Sequence, residues 1–186
     1  MMTTSKLERV LAGLSEIGIA TTLDATAKGF LDKIRIVDGG LHVAPDCPVG
    51  DVLHEAGHLA VIPRRYRSRA NNDIGRLQRE MLDEMTRTNE FPDSPIYRAV
   101  LQTSDPEATA WAYAFGKHLG LADEDIIEDH SYPDETGKGT GADIRLALSM
   151  RAYVGINGLA HAGFCSVRGL GGLPKYPEMA FWTQEL

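Results

Sequence analysis

Hydrophobic positions recur at helical spacing through most of the chain and alternate at strand spacing in one short region. Leu7, Val10, Leu11, Leu14 and Ile17 fall on one face of a helix over 5–18, behind Ser5, whose hydroxyl can cap its start. A weaker helix is expected over 23–31, with Asp24 near its start and Gly29 at its end. Residues 34–37 and 41–43 then read as two short strands joined through Asp38-Gly39-Gly40, residues that accept the positive φ angles of a tight turn. Such a hairpin either roofs the element after it or offers an edge to which an extended peptide can add as a strand.

Residues 46–51 carry turn and cap chemistry into an apolar helix that ends at Pro63. Beyond it, Arg64-Arg65-Tyr66-Arg67-Ser68-Arg69 is the one dense basic run, most simply an exposed stretch pairing with the chain's own acids. A helix over 71–88 follows, its apolar stripe made by Ile74, Leu77, Met81, Leu82 and Met85, with Glu80 and Glu84 on its solvated side. Phe91-Pro92-Asp93-Ser94-Pro95 breaks it, and residues 96–101 supply one or two more turns. Ser104-Asp105-Pro106-Glu107 opens an alanine-rich helix running to about His118, and alanine lets two helices come close. The rest reads as a short acidic helix over 121–129, a loop over 130–141, a helix over 143–159, and an irregular glycine- and proline-rich tail ending in Phe181-Trp182.

The pattern describes a mostly helical α+β protein of one domain with a small antiparallel sheet, divided into N-terminal helices (1–33), a core (34–119) and a helical and irregular C-terminal part (120–186). A chain of 186 residues can bury a core without covalent staples. A net charge of −7 argues against a nucleic-acid partner held through phosphate contacts. No secretory signal is legible in residues 1–10, and no apolar stretch is long enough to span a membrane. Cys47 and Cys165 lie far apart and neither sits in a C-x-x-C pair, so a reducing cytoplasm is expected, with Cys47 a packed thiol in preference to a ligand.

The chemistry concentrates in His54-Glu55-Ala56-Gly57-His58, an H-E-x-x-H motif inside the apolar helix. Side chains four apart lie one above the other on a helix, so the two imidazoles can share one cation, while Glu55 points to the side, where a carboxylate can act as a base. Two histidines do not complete a catalytic zinc site, which takes three protein ligands and keeps one position open. Glu107, at the start of a second helix, is the expected third ligand, with Asp105 two residues earlier as its competitor. Asp73, Asp105 and Asp143 are candidates to orient the imidazoles from outside, and His130, Tyr132, Tyr153 and His161 could steady a developing oxyanion, though none stands out.

The H-E-x-x-H helix followed by Glu107-Ala108-Thr109-Ala110-Trp111-Ala112 resembles the gluzincin-type zinc metallopeptidases, most closely the small cytoplasmic ImmA/IrrE-like group. The resemblance covers roughly 34–119; the gap between His58 and Glu107 is long for that group and the chain after 120 has no counterpart in it. It implies a zincin-like fold with a short sheet before the metal helix. It also implies Zn2+ on His54, His58 and Glu107, Glu55 as general base, and a peptide or protein substrate cut with narrow specificity. The competing reading is a zinc-binding regulatory or partner-binding module with the same fold and no hydrolysis. Neither reading calls for nucleic acid or membrane, and neither specifies an oligomeric state.

Overall fold

In the computed structural model, which describes residues 5–169 and 171–186, helix α1 (Lys6–Glu16) begins where Ser5 predicts. Residues 1–4 of the N-terminal stretch read for a signal lie outside the described residues. Ser5 Oγ accepts from the Glu8 N–H and the Glu8 carboxylate accepts from the Ser5 N–H, a reciprocal capping box that satisfies two end donors. Val10 and Leu14 are turned fully into the core.

The weak helix expected over 23–31 does not form. Thr21–Leu23 is strand β1, and Asp24 directs its carboxylate to the Thr26 N–H, the Thr26 hydroxyl and Arg35, with His42 Nδ1 at 3.3 Å. An aspartate that bonds the backbone two residues on competes with helix, and here it wins because β1 gains a partner strand. The hairpin is present as β2 (Ile34–Val37) and β3 (Gly40–Val43), with Ile36 opposite Leu41 and positive φ at Asp38 (47°) and Gly39 (80°). β1 pairs with β3 in parallel, so the sheet is mixed and three-stranded in the order β1-β3-β2, which corrects the purely antiparallel expectation. The outer edge of β2 is covered by the chain itself: Ile36 N donates to Asn72 Oδ1 (2.8 Å) and Asp38 N to Asn71 Oδ1 (3.3 Å).

The apolar helix is α2 (Val49–Val61), followed by the short α3 (Arg64–Arg67), α4 (Ile74–Arg87) capped by Asp73, α5 (Pro95–Leu101), the alanine-rich α6 (Asp105–His118), α7 (Asp123–Ile126), α8 (Gly141–Ser149) and α9 (Val154–His161). The single helix expected over 143–159 is thus two. Arg151 adopts φ 58°, Ala152 N donates back to Ala147 O, and Tyr153 leaves in an extended conformation. No glycine or proline marks that break, so periodicity runs through it unbroken.

Helices α2 and α6 form the centre of the molecule. Residues 107–116 of α6 are buried without interruption, because α2 covers one side and α9 another. Small residues set both contacts. A Cβ on Gly57 would lie 2.5 Å from Ala108 O and 3.0 Å from Ala108 Cα, and one on Gly155 would run into Pro106 O.

The basic run is not a free patch. Arg67 donates to Leu59 O, Ile62 O and Gln184 O, Arg69 reaches Glu80 and Glu84, and Arg64 pairs with Glu185 at 3.0 Å. The irregular tail buries itself on its own domain: Trp111 Nε1 donates to Trp182 O (2.8 Å), and Gln184 N donates to Ala60 O (2.8 Å) at the end of α2. No described helix is long and apolar enough to cross a membrane.

Gly57→Ala is expected to lower the unfolding free energy in urea by about 1–3 kcal/mol, the usual range for forcing a methyl into a filled contact. Alanine is the better helix former, so a neutral or stabilising result would show that α2 and α6 are not held at backbone contact.

Candidate metal centre

Their spacing of four residues along α2 brings the His54 and His58 rings to 4.8 Å between centroids, nearly perpendicular. Asp105, in the first turn of α6, meets them: its Oδ1 lies 3.1 Å from His58 Nε2 and 3.9 Å from His54 Nε2. One ligand atom from each of the three lies within 4.8 Å of the others, the one such group of histidine, cysteine and carboxylate side chains among the described residues.

Glu107, the expected third ligand, is not brought to the pair. Its carboxylate is buried, accepts a short hydrogen bond from Ser104 Oγ, and abuts Gly158 of α9, where any side chain would collide with it. The helix explains the exchange. Two residues on an α-helix are separated by roughly 200° of rotation, so Asp105 and Glu107 cannot face the same neighbour. Asp105 faces α2 and Glu107 faces α9, and the competitor takes the place given to Glu107.

A divalent cation fits this set by its chemistry: two imidazole nitrogens and one carboxylate oxygen are a donor combination that zinc accepts. Burial and the neighbouring His58 lower the His54 pKa to about 4, against the pull of Asp105, so its ring is neutral and has a lone pair to give. The hydrogen bond to His58 holds the Asp105 carboxyl below its ordinary value. The Asp105 side chain is 80% exposed whereas that of His58 is 7%, so the group is open to solvent chiefly on the aspartate side.

The three residues line a cleft of about 730 Å3. Glu55 lines it too, nearly buried beside the pair, and desolvation raises its pKa. Phe30, 91% exposed, stands in the same cleft with Leu31 and Ile74. Cys47 is no ligand: burial, with Asp51 close by, pushes its thiol up to about 12.

Of the residues expected to orient the imidazoles, Asp73 caps α4 through the Arg76 N–H and Asp143 is exposed on α8. The groups at His54 Nδ1 are hydroxyls instead, Tyr132 at 3.2 Å and Thr109 at 3.4 Å. His58 Nδ1 is buried without a partner. His161 pairs with Gln102 and His130 with Glu128, while Tyr153 lines the cleft. Spacing could have signalled Thr109, which lies four residues beyond Asp105 on one helical face; nothing local signals Tyr132.

Protein-family models, curated proteins and solved structures all fail to match this chain, so the metallopeptidase reading rests on its own residues.

His54 gives the metal-free protein a defined acid response. The folded state takes the proton only near pH 4, whereas the unfolded chain takes it near 6.5, so stability is lost as pH falls through that window. Glu55 acts oppositely: its raised folded pKa favours the native state at low pH, a contribution lost as pH rises through that value. His54→Gln is therefore expected to flatten the loss of unfolding free energy between pH 6.5 and 4, by on the order of 1–3 kcal/mol. Urea titrations across that range check this, and an unchanged acid limb would show that His54 is not held neutral.

Proposed function

We propose that the protein is a zinc-dependent peptidase with His54, His58 and Asp105 as metal ligands and Glu55 as general base. The observation that carries the reading is the convergence of two histidines and a carboxylate from α2 and α6 in one cleft, with a nearly buried glutamate beside them. The order of sheet, H-E-x-x-H helix and alanine-rich helix supports the gluzincin resemblance, with aspartate taking the place expected of glutamate. Two buried cysteines without a disulfide accord with a cytoplasmic setting.

His54, His58 and Asp105 would hold the zinc, which would supply Lewis acidity at the cleft. The chain's own residues do the rest. Glu55 takes the attacking water's proton on a carboxylate oxygen and later delivers it to the leaving amine nitrogen, as the new C–O bond replaces the C–N bond. Its burial raises its affinity for that proton above that of an exposed glutamate. Asp105 is the one carboxylate of the ligand set, and all three ligand residues line the same cleft as Glu55.

The discriminating measurement pairs bound zinc with hydrolysis of a mixed peptide library. Glu55→Gln is expected to keep zinc and lose about 10²–10⁴ in rate. Asp105→Ala is expected to weaken zinc by more than the roughly 10–100-fold typical of an outer-shell loss, and Glu107→Gln to leave it within that range or better. A wild type that binds no zinc would sink the proposal; zinc without any hydrolysis favours a regulatory zinc-binding module.

A further inference from the structure

The loop over 130–141 is ordered around one side chain. Tyr132 holds a left-handed backbone (φ 56°), unusual for a bulky residue, and its carbonyl accepts from the Thr140 hydroxyl at 2.8 Å. Asp134 accepts from the Thr136 N–H, the Thr136 hydroxyl and the Lys138 N–H, closing the turn beyond it. Gly139 lies against the backbone of residues 129 and 130, where a Cβ has no room. The result is a rigid arm that projects the Tyr132 ring into the cleft, edge-on to His54, with its hydroxyl 3.0 Å from Thr109 Oγ1 and 3.2 Å from His54 Nδ1. Thr109 comes from the same helical face as Asp105, one turn on, and reaches the same nitrogen.

We infer that Tyr132 and Thr109 are positioning residues that act through His54: its Nδ1–H donates to the Tyr132 hydroxyl, and the Tyr132 O–H donates to Thr109 Oγ1. This rests on the metal-centre reading above and extends it. An imidazole that gives its proton to a partner at Nδ1 presents a lone pair at Nε2, the nitrogen facing Asp105. Thr109 stands as the alternative acceptor at 3.4 Å, so either hydroxyl alone can hold the ring. His58 has no such support, its Nδ1 being buried and unpartnered, so orientation of the ligand set depends on the His54 side. The same geometry separates Tyr132 from the reacting carbonyl, since a group bonded at Nδ1 sits on the far side of the ring from a cation at Nε2.

Two readouts test this on the intact chain, and neither is turnover. In the metal-free protein, nitrogen-detected NMR reads the His54 tautomer; the Nδ1–H form is expected in wild type and a mixture in Tyr132→Phe/Thr109→Val. Zinc titration should show about tenfold weaker binding for Tyr132→Phe, about 100-fold for the double variant, and near wild-type binding for Thr109→Ser, which restores the hydroxyl. The phenylalanine keeps the ring's packing, and an unchanged melting temperature of the metal-free variant confirms that the fold is intact. An Nε2–H tautomer in wild type, or a folded double variant that binds zinc as tightly as wild type, overturns the assignment. Wild type that binds no zinc overturns the metal centre itself, and the assignment with it.

Discussion

Backbone contact between α2 and α6 is the constraint on which the molecule depends. Gly57 removes the side chain that would hold the helices apart, and Ala108 meets it with little more than its main chain. At that separation the first turn of α6 lies beside the second and third turns of α2, and a side chain as short as aspartate bridges to an imidazole. A wider crossing would leave Asp105 short of His58 and would suit a longer acid instead. That Asp105 and not Glu107 stands beside the histidine pair is thus a consequence of helix spacing as well as of rotation about the helix. The same closeness recurs on the other side of α6, where Gly155 meets Pro106 and Gly158 meets the Glu107 carboxylate, so α6 is gripped between two helices that both yield their side chains to it.

Burial created by this packing sets the chemistry. Glu55, His58 and Glu107 are among the few charged or ionisable side chains buried in the described chain. Each must be compensated or neutral, since an uncompensated buried charge is costly. Glu107 is compensated locally by the Ser104 hydroxyl. His54 responds by losing affinity for protons and Glu55 by gaining it. Those opposite shifts come from one cause, desolvation, acting on a base that is charged when protonated and an acid that is charged when not. They leave a neutral imidazole beside a carboxylate of heightened basicity, the division of roles that the proposed metal-assisted proton transfer calls for.

The parts legible in the sequence are those whose signal is local. The capping box at Ser5, the Asp38-Gly39 turn, the span of α2 and the start of α6 at Ser104 all rest on residues within a few positions of one another. The histidine pair belongs here too, because helical geometry alone places residues four apart together. What was not legible depends on partners distant in sequence. The weak helix is pre-empted at its start, where β1 pairs with β3, about twenty residues on, and Asp24 turns the chain through Thr26. Spacing narrowed the third ligand to the opening turn of α6, but which of Asp105 and Glu107 faced α2 depended on how α9 packs behind that turn. Tyr132 reaches His54 across 78 positions through a loop whose conformation depends on side-chain bonds within it, a contact that no periodicity carries.

Both irregular segments bear on α2, from opposite ends. Near its start, Gly50 packs on the Ile126 carbonyl, and the loop beyond α7 brings Tyr132 to His54. Near its end, the tail bonds Gln184 to Ala60 O, and Arg67 takes the Leu59 and Ile62 carbonyls that the helix leaves without intrahelical donors. If α2 carries the proposed base and two ligands it must not shift along its axis, because a displacement of about 1 Å is large against the tolerance of a coordination shell or a proton transfer. Anchoring by both segments supplies that resistance. The stretches with least regular structure therefore serve the most regular element, and the cleft between them stays open on the side where Asp105 meets solvent.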